Sequence, residues 1–280
     1  MKGFAKLACS LMAALALSLA VPAISFAQSL PVAVTIAGNI ANVQIGSPAS
    51  PIAELTLTFD DVTGLSASSL GISAEMVNLS DPALLSRMPS SLTAIPSAFP
   101  VMITVEPPAL GGLTQRRLVH VEVHTHALSY VAGSPLRLFK SPLGGAFRDI
   151  TEDVKPGSVR TRGTTPGWSQ FVVLADLRAS ADVVADKFAY LRTMLSALPA
   201  VEADPLRAYV DAAERAVADR RFADAVVALD SFTARVSARA GTTIPDLWRA
   251  TRDTRNNAGE LLSAASTLGF SIGYLRDFGG

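Results

Sequence analysis

Thiols are almost absent from this chain: of 280 residues a single one is cysteine, Cys9. A disulfide framework, a cysteine nucleophile and a thiolate metal centre are therefore excluded for everything that follows it. Histidines number three, aromatic residues make up 6% and charged residues 17%. Lysine plus arginine total 24, as do aspartate plus glutamate, so no field of one sign exists to attract a polyanion. Nucleic acid is excluded as an expected partner on this ground. Beyond the N-terminus no apolar run is long enough for a membrane, and no transmembrane segment is expected once that N-terminus is removed. The GxxxxGK[ST] phosphate loop, the HExxH zinc motif and the DxDxDG calcium loop do not occur.

The one long apolar run stands at the start. Lys2 and Lys6 lead into LACSLMAALALSLAVPAI, which carries no charge, and Ser25-Phe26-Ala27 places small residues where a signal peptidase reads. This predicts a signal peptide over residues 1–27 and a periplasmic or secreted protein. Cys9 lies near the beginning of the apolar core, where a lipoprotein signal would put its cysteine after it. Loss of the two leader lysines leaves 22 basic against 24 acidic groups. An exported chain of about 250 residues without disulfides must be held by its own core.

Residues 28–178 read as strands. In AELTLTFDD, Ala53, Leu55, Leu57 and Phe59 fall on one face, and Glu54, Thr56 and Thr58 on the other. PVAVTIAGN, NVQIGS, FPVMITVEPP, RRLVHVEVHT, SPLRLF, GSVRTRG and WSQFVVLAD show the same habit between Gly- and Pro-rich turns. Period-two alternation bounded by turn residues predicts half-buried antiparallel strands. Seven to nine of them predict a β-sandwich, with a barrel as the alternative.

The period changes over residues 179–280. Val184, Phe188, Leu191, Leu195 and Leu198 recur at helical spacing. Asp204-Pro205 predicts the N-cap and first turn of a second helix, with Leu206, Val210, Ala213 and Val217 as its stripe. Phe222, Ala225, Leu229, Phe232 and Val236 form a third stripe, closed by Gly241 as a left-handed cap. A last helix is predicted from about Pro245 to Leu268. Short links between such helices predict a small bundle. The fold expected is thus α+β, an N-terminal sandwich followed by a helical bundle domain.

The segment ERAVADRRFADAVVALDSFTARVSARAG, with its alanines, short polar turn, Ala225, Leu229, Phe232, Val236 and Gly241, resembles the FIMAH-type helical module of secreted bacterial proteins. The resemblance covers some 40 residues and implies an appended structural or interaction unit without catalytic residues. Arg220-Arg221 departs from it, since related modules carry a small residue and a turn-former there. The whole layout also resembles an uncharacterised family of exported bacterial proteins.

All three histidines lie in HVEVHTHALSY, as His120, His124 and His126, with Glu122 between them. On one strand face, residues two apart have Cα atoms about 6.7 Å apart, so His124 and His126 can share a metal such as zinc or copper. Glu122, Glu106 or Asp149 are candidates to complete such a set. The same letters also describe the wet face of a strand whose Val119, Val121 and Val123 face the core. Gly269-Phe270-Ser271-Ile272-Gly273 matches a nucleophile elbow by spacing, but no histidine follows it, so it is read as accidental. Trp168 is either a core aromatic or a sugar-stacking platform.

Together these observations point to an exported, non-enzymatic binding or structural protein. Its ligand would be an unidentified protein or carbohydrate, with no resident cofactor. The alternative is a metal-binding protein built on His124, His126 and Glu122.

Overall fold

A computed structural model of the chain describes residues 27–155 and 157–279, so the expected signal peptide lies outside the described residues except for Ala27. The chain opens with β1 (Gln28–Leu30), β2 (Val32–Ala37), β3 (Ile40–Ser47) and β4 (Ser50–Thr63). A one-turn helix α1 (Ala67–Leu70), strand β5 (Ile72–Met76) and a second short helix α2 (Pro82–Leu85) follow. Next come β6 (Thr93–Ala94), β7 (Val101–Val105), the long β8 (Thr114–Tyr130), β9 (Leu136–Ser141) and β10 (Arg148–Asp149). Then β11 (Thr151–Lys155), β12 (Gly157–Thr165) and β13 (Gln170–Asp176) complete this stretch. Helices α3 (Ser180–Ser196), α4 (Ala200–Ala218) and α5 (Phe222–Arg239) precede a two-residue strand β14 (Trp248–Arg249) and the long α6 (Asn257–Phe278). The protein is mixed α+β, with two antiparallel sheets and six helices among the described residues.

One sheet runs β1-β5-β7-β13-β9-β10, with β6 on β13; the other runs β11-β12-β8-β4-β3-β2, with β14 on β8. Alternation decides which side of each strand is dry. Leu55, Leu57 and Phe59 of β4 stand opposite Val123, Val121 and Val119 of β8, and all six are buried. Their cluster continues into Val101, Ile103 and Val105 of β7 and Phe171 and Val173 of β13, in the other sheet. Each such side chain contributes about 1.5–3 kcal/mol relative to exposure, which makes this shared layer the main hold on the strands. A second cluster joins Val184, Phe188 and Leu191 of α3, Leu206 and Val210 of α4, Leu229 and Phe232 of α5, and Leu261, Leu268 and Ile272 of α6.

Three expectations are corrected. Fourteen strands are present among the described residues where seven to nine were expected, because β1, β6, β10 and β14 are only two or three residues long and β5 and β11 only five, too short to show a clear period. Helix α4 starts at Ala200, one turn ahead of Asp204-Pro205, and Pro205 sits inside it. The helical bond Pro205 cannot donate belongs to the carbonyl of Val201, an exposed residue whose carbonyl water can serve. Helix α6 begins at Asn257 rather than near Pro245 and runs to Phe278. The residues before it are used otherwise: Trp248 and Arg249 pair with Gln115 and Thr114, and the Asn256 side chain accepts from Gly259 N at 2.8 Å as the true N-cap.

The segment from Asp246 to Asn256 fills a gap in the second sheet. Strand β12 ends opposite Val119, whereas β8 begins five residues earlier at Thr114. At the gap Arg117 takes a left-handed φ of 58° and the register breaks. Its amide donates to Asp246 Oδ1 at 2.7 Å, its carbonyl accepts from Asn256 Nδ2 at 2.6 Å, and Ala250 N donates to Leu113 O at 3.0 Å. Helix α6 then lies close on the strands. A Cβ on Gly259 would stand 2.6 Å from Pro166 Cβ and 2.9 Å from Arg117 O, so only glycine admits this approach.

Polar groups also join the helices to the strands. Lys187 of α3 is buried, and its Nζ donates to Asp149 Oδ2 (2.6 Å), Thr267 Oγ1 (2.6 Å), Thr267 O (3.1 Å) and Ser271 Oγ (2.8 Å). Ser263 Oγ donates to Thr164 O at 2.7 Å and Thr267 Oγ1 to Thr151 O at 2.9 Å. Ser271, the serine of the elbow-like match, is therefore a buried helical residue that partners a lysine. No helix among the described residues is long and apolar enough to cross a membrane.

Candidate functional site

The outer face of β8 carries the histidines in a polar grid set by register. Glu54, Thr56 and Thr58 of β4 stand opposite His124, Glu122 and His120, and Arg160, Arg162 and Thr164 of β12 flank the same three on the other side. His124 is buried, with Nδ1 3.1 Å from Glu54 Oε2 and its ring edge-on to His126, centroids 4.7 Å apart. His120 Nε2 lies 3.1 Å from Asp60 Oδ1, and both are partly open to solvent.

Glu122 does not join the histidine pair. Its carboxylate accepts from Arg162 Nε and lies 3.5 Å from an Arg160 terminal nitrogen. Glu106 pairs with Arg252, and Asp149 with Lys187. Among the described residues no group of three or more His, Cys, Asp or Glu side chains is placed to hold a metal ion. The set His124, His126 and Glu122 expected for zinc or copper is thus not assembled. The physical reason is register, which gives Glu122 two guanidinium neighbours and gives His124 the carboxylate of Glu54.

A cleft of about 610 Å³ opens instead where both sheets meet α3 and α6. Its walls come from β9 and β10 (Lys140, Arg148), the β12–β13 turn (Pro166 to Ser169), α3 (Tyr190, Met194), and the stretch from Trp248 to Leu261. The turn is built by sequence: Pro166 ends β12, and Gly167 leaves room for the Trp248 ring, whose Cδ1 and Nε1 would stand 3.2 Å from a Cβ there. Trp168 and Trp248 then meet edge-to-face at 6.3 Å, and Trp168 also packs on Phe59 at 5.5 Å. Trp168 therefore packs on the core, in line with the core-aromatic alternative, and also lines the open cleft. Two lining residues hold buried polar atoms without a partner, Trp168 Nε1 and Thr254 Oγ1.

Charged groups also line the cleft. Arg148 pairs with Glu260 at 2.8 Å and lies over the Tyr190 ring, 4.7 Å from its centroid, while the Tyr190 hydroxyl donates to Glu260 at 3.2 Å. Burial pushes the Tyr190 phenol up to about 12, against the pull of Arg148. Burial would also raise Glu260, but Arg148 and Lys140 outweigh it and hold that carboxyl below its ordinary value. Lys140, 5% exposed, donates to Thr165 Oγ1, and burial draws its ammonium down to about 8 despite Glu260 nearby.

Another hollow, of about 640 Å³, borders Ala27, Glu75, Asp81 and Arg87. It has no aromatic wall, and Arg87, its one cation, already donates to Gly145 O, Ser141 Oγ and Gln170 Oε1. Ligand clefts combine apolar and aromatic walls with a few converging polar groups, which favours the junctional cleft.

Sequence reasoning singled out Trp168 and missed Lys140, Arg148, Tyr190, Trp248 and Glu260. The one trace in the sequence is a lysine next to Leu136, Leu138 and Phe139 in LRLFKS; the structure buries all six positions of that strand. No curated protein and no solved structure matches the chain. Residues 14–276 match a family described as one of unknown function (DUF6689), and the chain belongs to that family.

Proposed function

We propose that the protein is a non-enzymatic, exported binding protein of the periplasm or cell exterior. In this reading the two sheets form a β-sandwich domain over residues 28–178, and residues 179–280 form a helical domain docked on it. The cleft at their junction takes a small ligand. One observation carries the reading: a cleft of about 610 Å³ brings Trp168, Trp248 and Tyr190 together with Lys140, Arg148 and Glu260, from segments distant in sequence. The uncharged run behind Lys2 and Lys6 supports export.

Thermal melts of the mature chain against a broad set of small ligands test it. A ligand at a hundredfold its Kd stabilises by about 2.7 kcal/mol, which in a chain of this size moves Tm by several degrees. Leu143 is an exposed lining residue, so Leu143→Trp should narrow the cleft, leave the apo melt unchanged and abolish the shift. A set that never moves the wild-type melt, or shifts that survive Leu143→Trp, would overturn the reading.

A further inference from the structure

We infer that the cleft selects a carboxylate carried on a ring, with its oxygens on Lys140 Nζ and its ring against the tryptophan walls; this deepens the binding reading above and rests on it.

Charge balance is the first support. The cleft is lined by Lys140, Arg148, Arg252 and Arg255 but only by Glu106 and Glu260 as acids. Both acids are engaged, Glu260 by Arg148 and Glu106 by Arg252. Among the described residues no carboxylate lies within ion-pair distance of Lys140 or Arg255, so the site carries surplus positive charge.

Lys140 is the sharper support, because the protein contains its own control. Lys187 is buried to a similar depth, and its ammonium meets a carboxylate, a carbonyl and two hydroxyls. Lys140, buried as deeply, has one hydrogen-bond partner among the described residues, the Thr165 hydroxyl. An ammonium has three donors, and a buried one is tolerated when those donors and its charge are met. Lys187 is completed by the fold, whereas Lys140 is left for something that enters the cleft.

The remaining walls specify the rest of the ligand. Trp168, Trp248 and Tyr190 offer flat apolar surface that suits a ring. The charged groups facing Lys140 are Glu260 of α6 and Arg148 of β10, with Glu106, Arg252 and Arg255 also lining the cleft. Glu260 opposes a second negative charge at the ammonium, which favours a carboxylate over a phosphate dianion.

Ligand-detected NMR on the mature chain provides the test, with benzoate, cyclohexanecarboxylate and galacturonate against benzamide, cyclohexanecarboxamide and galactose. Inorganic phosphate serves as competitor. At pH 6.5 at least one acid should bind at least tenfold more tightly than its uncharged twin, and phosphate should not displace it. Lys140→Met, which keeps the length of the side chain and removes the charge, should erase that preference. On the wild type alone, acid affinity should fall about tenfold per pH unit above about 8, as Lys140 loses its proton, while affinity for the uncharged twins stays level. This profile decides the matter even if Lys140→Met fails to fold. Uncharged twins binding as well as the acids would overturn the inference and leave the binding reading standing. Displacement by phosphate, or no binding by any probe, would also overturn it, the second leaving the binding reading to the broad melt survey.

Discussion

Replacing Lys187 by methionine tests what fastens the helices to the strands. The side-chain exposures of Lys187 and Asp149 are 10% and 3%, so neither charge is screened by water. Methionine fills similar space but leaves Asp149 buried as a carboxylate, with Thr151, whose amide lies at 2.8 Å, as its remaining hydrogen-bonding neighbour. Ser271 Oγ loses its lysine partner, while Thr267 Oγ1 keeps Thr151 O. Removing one member of a buried pair costs about 3–5 kcal/mol, mostly because the other is stranded. That is a large share of a total stability on the order of 5–15 kcal/mol. Adding Asp149→Asn should recover most of the loss, since asparagine still accepts from the Thr151 amide and carries no charge. Urea titration followed by tryptophan fluorescence and by helical circular dichroism measures both, because the two tryptophans lie among the strands and in β14. A single-variant loss below about 1 kcal/mol, or a double variant no better than the single, would refute the reasoning.

Acid should act on the same pair. Burial would raise the Asp149 carboxyl, but Lys187 and the Thr151 bonds hold it below its ordinary value. A carboxylate held low in the fold stabilises at pH above its unfolded value, near 3.8, and that contribution is lost as pH falls through the lower folded value. Asp149→Asn should flatten this part of a stability–pH curve measured by urea midpoints. A Cβ on Gly163 would stand 2.1 Å from the Ile150 carbonyl, so Gly163→Ala should destabilise by about 1–3 kcal/mol in the same titration. Arg220 holds φ 59° between α4 and α5, and Arg220→Gly should raise stability by about 0.5–1 kcal/mol, read as a higher Tm. On the histidine face, exposed His126→Thr should stay within about 0.5 kcal/mol, while His124→Thr, which removes the bond to Glu54, should cost about 1 kcal/mol.

Legibility in the sequence followed the length of each pattern. Strands β4 and β8 are long enough for alternation to name their buried residues, and α3 and α5 carry stripes that were read residue by residue. Helix α6 was misjudged because Gly269 and Gly273 look like stops, yet both have open space around them and simply ride on the helix. The turn between α4 and α5 shows the opposite: Arg220 adopts the left-handed conformation that a turn-former would take at less cost. The histidine strand was readable as a strand, but the partner of His124 stands 70 positions earlier and is chosen by strand register. The cleft had no linear signature, because its walls run from Glu106 to Leu261 and converge only when α6 settles on the strands.

The stretch from Asp246 to Asn256 has a consequence for aggregation. It occupies hydrogen-bonding groups from Leu113, just ahead of β8, to Arg117 within it, which β12 does not reach. A polypeptide truncated ahead of Asp246 would present those amides and carbonyls as a bare strand margin, and it would also lose Ala250 and Trp248 from the core of the sheet and the whole of α6. Such a margin is a template for the strand of another molecule. The two residues of β14 thus act as a guard against oligomer growth, and soluble yield should drop sharply in chains that end before them.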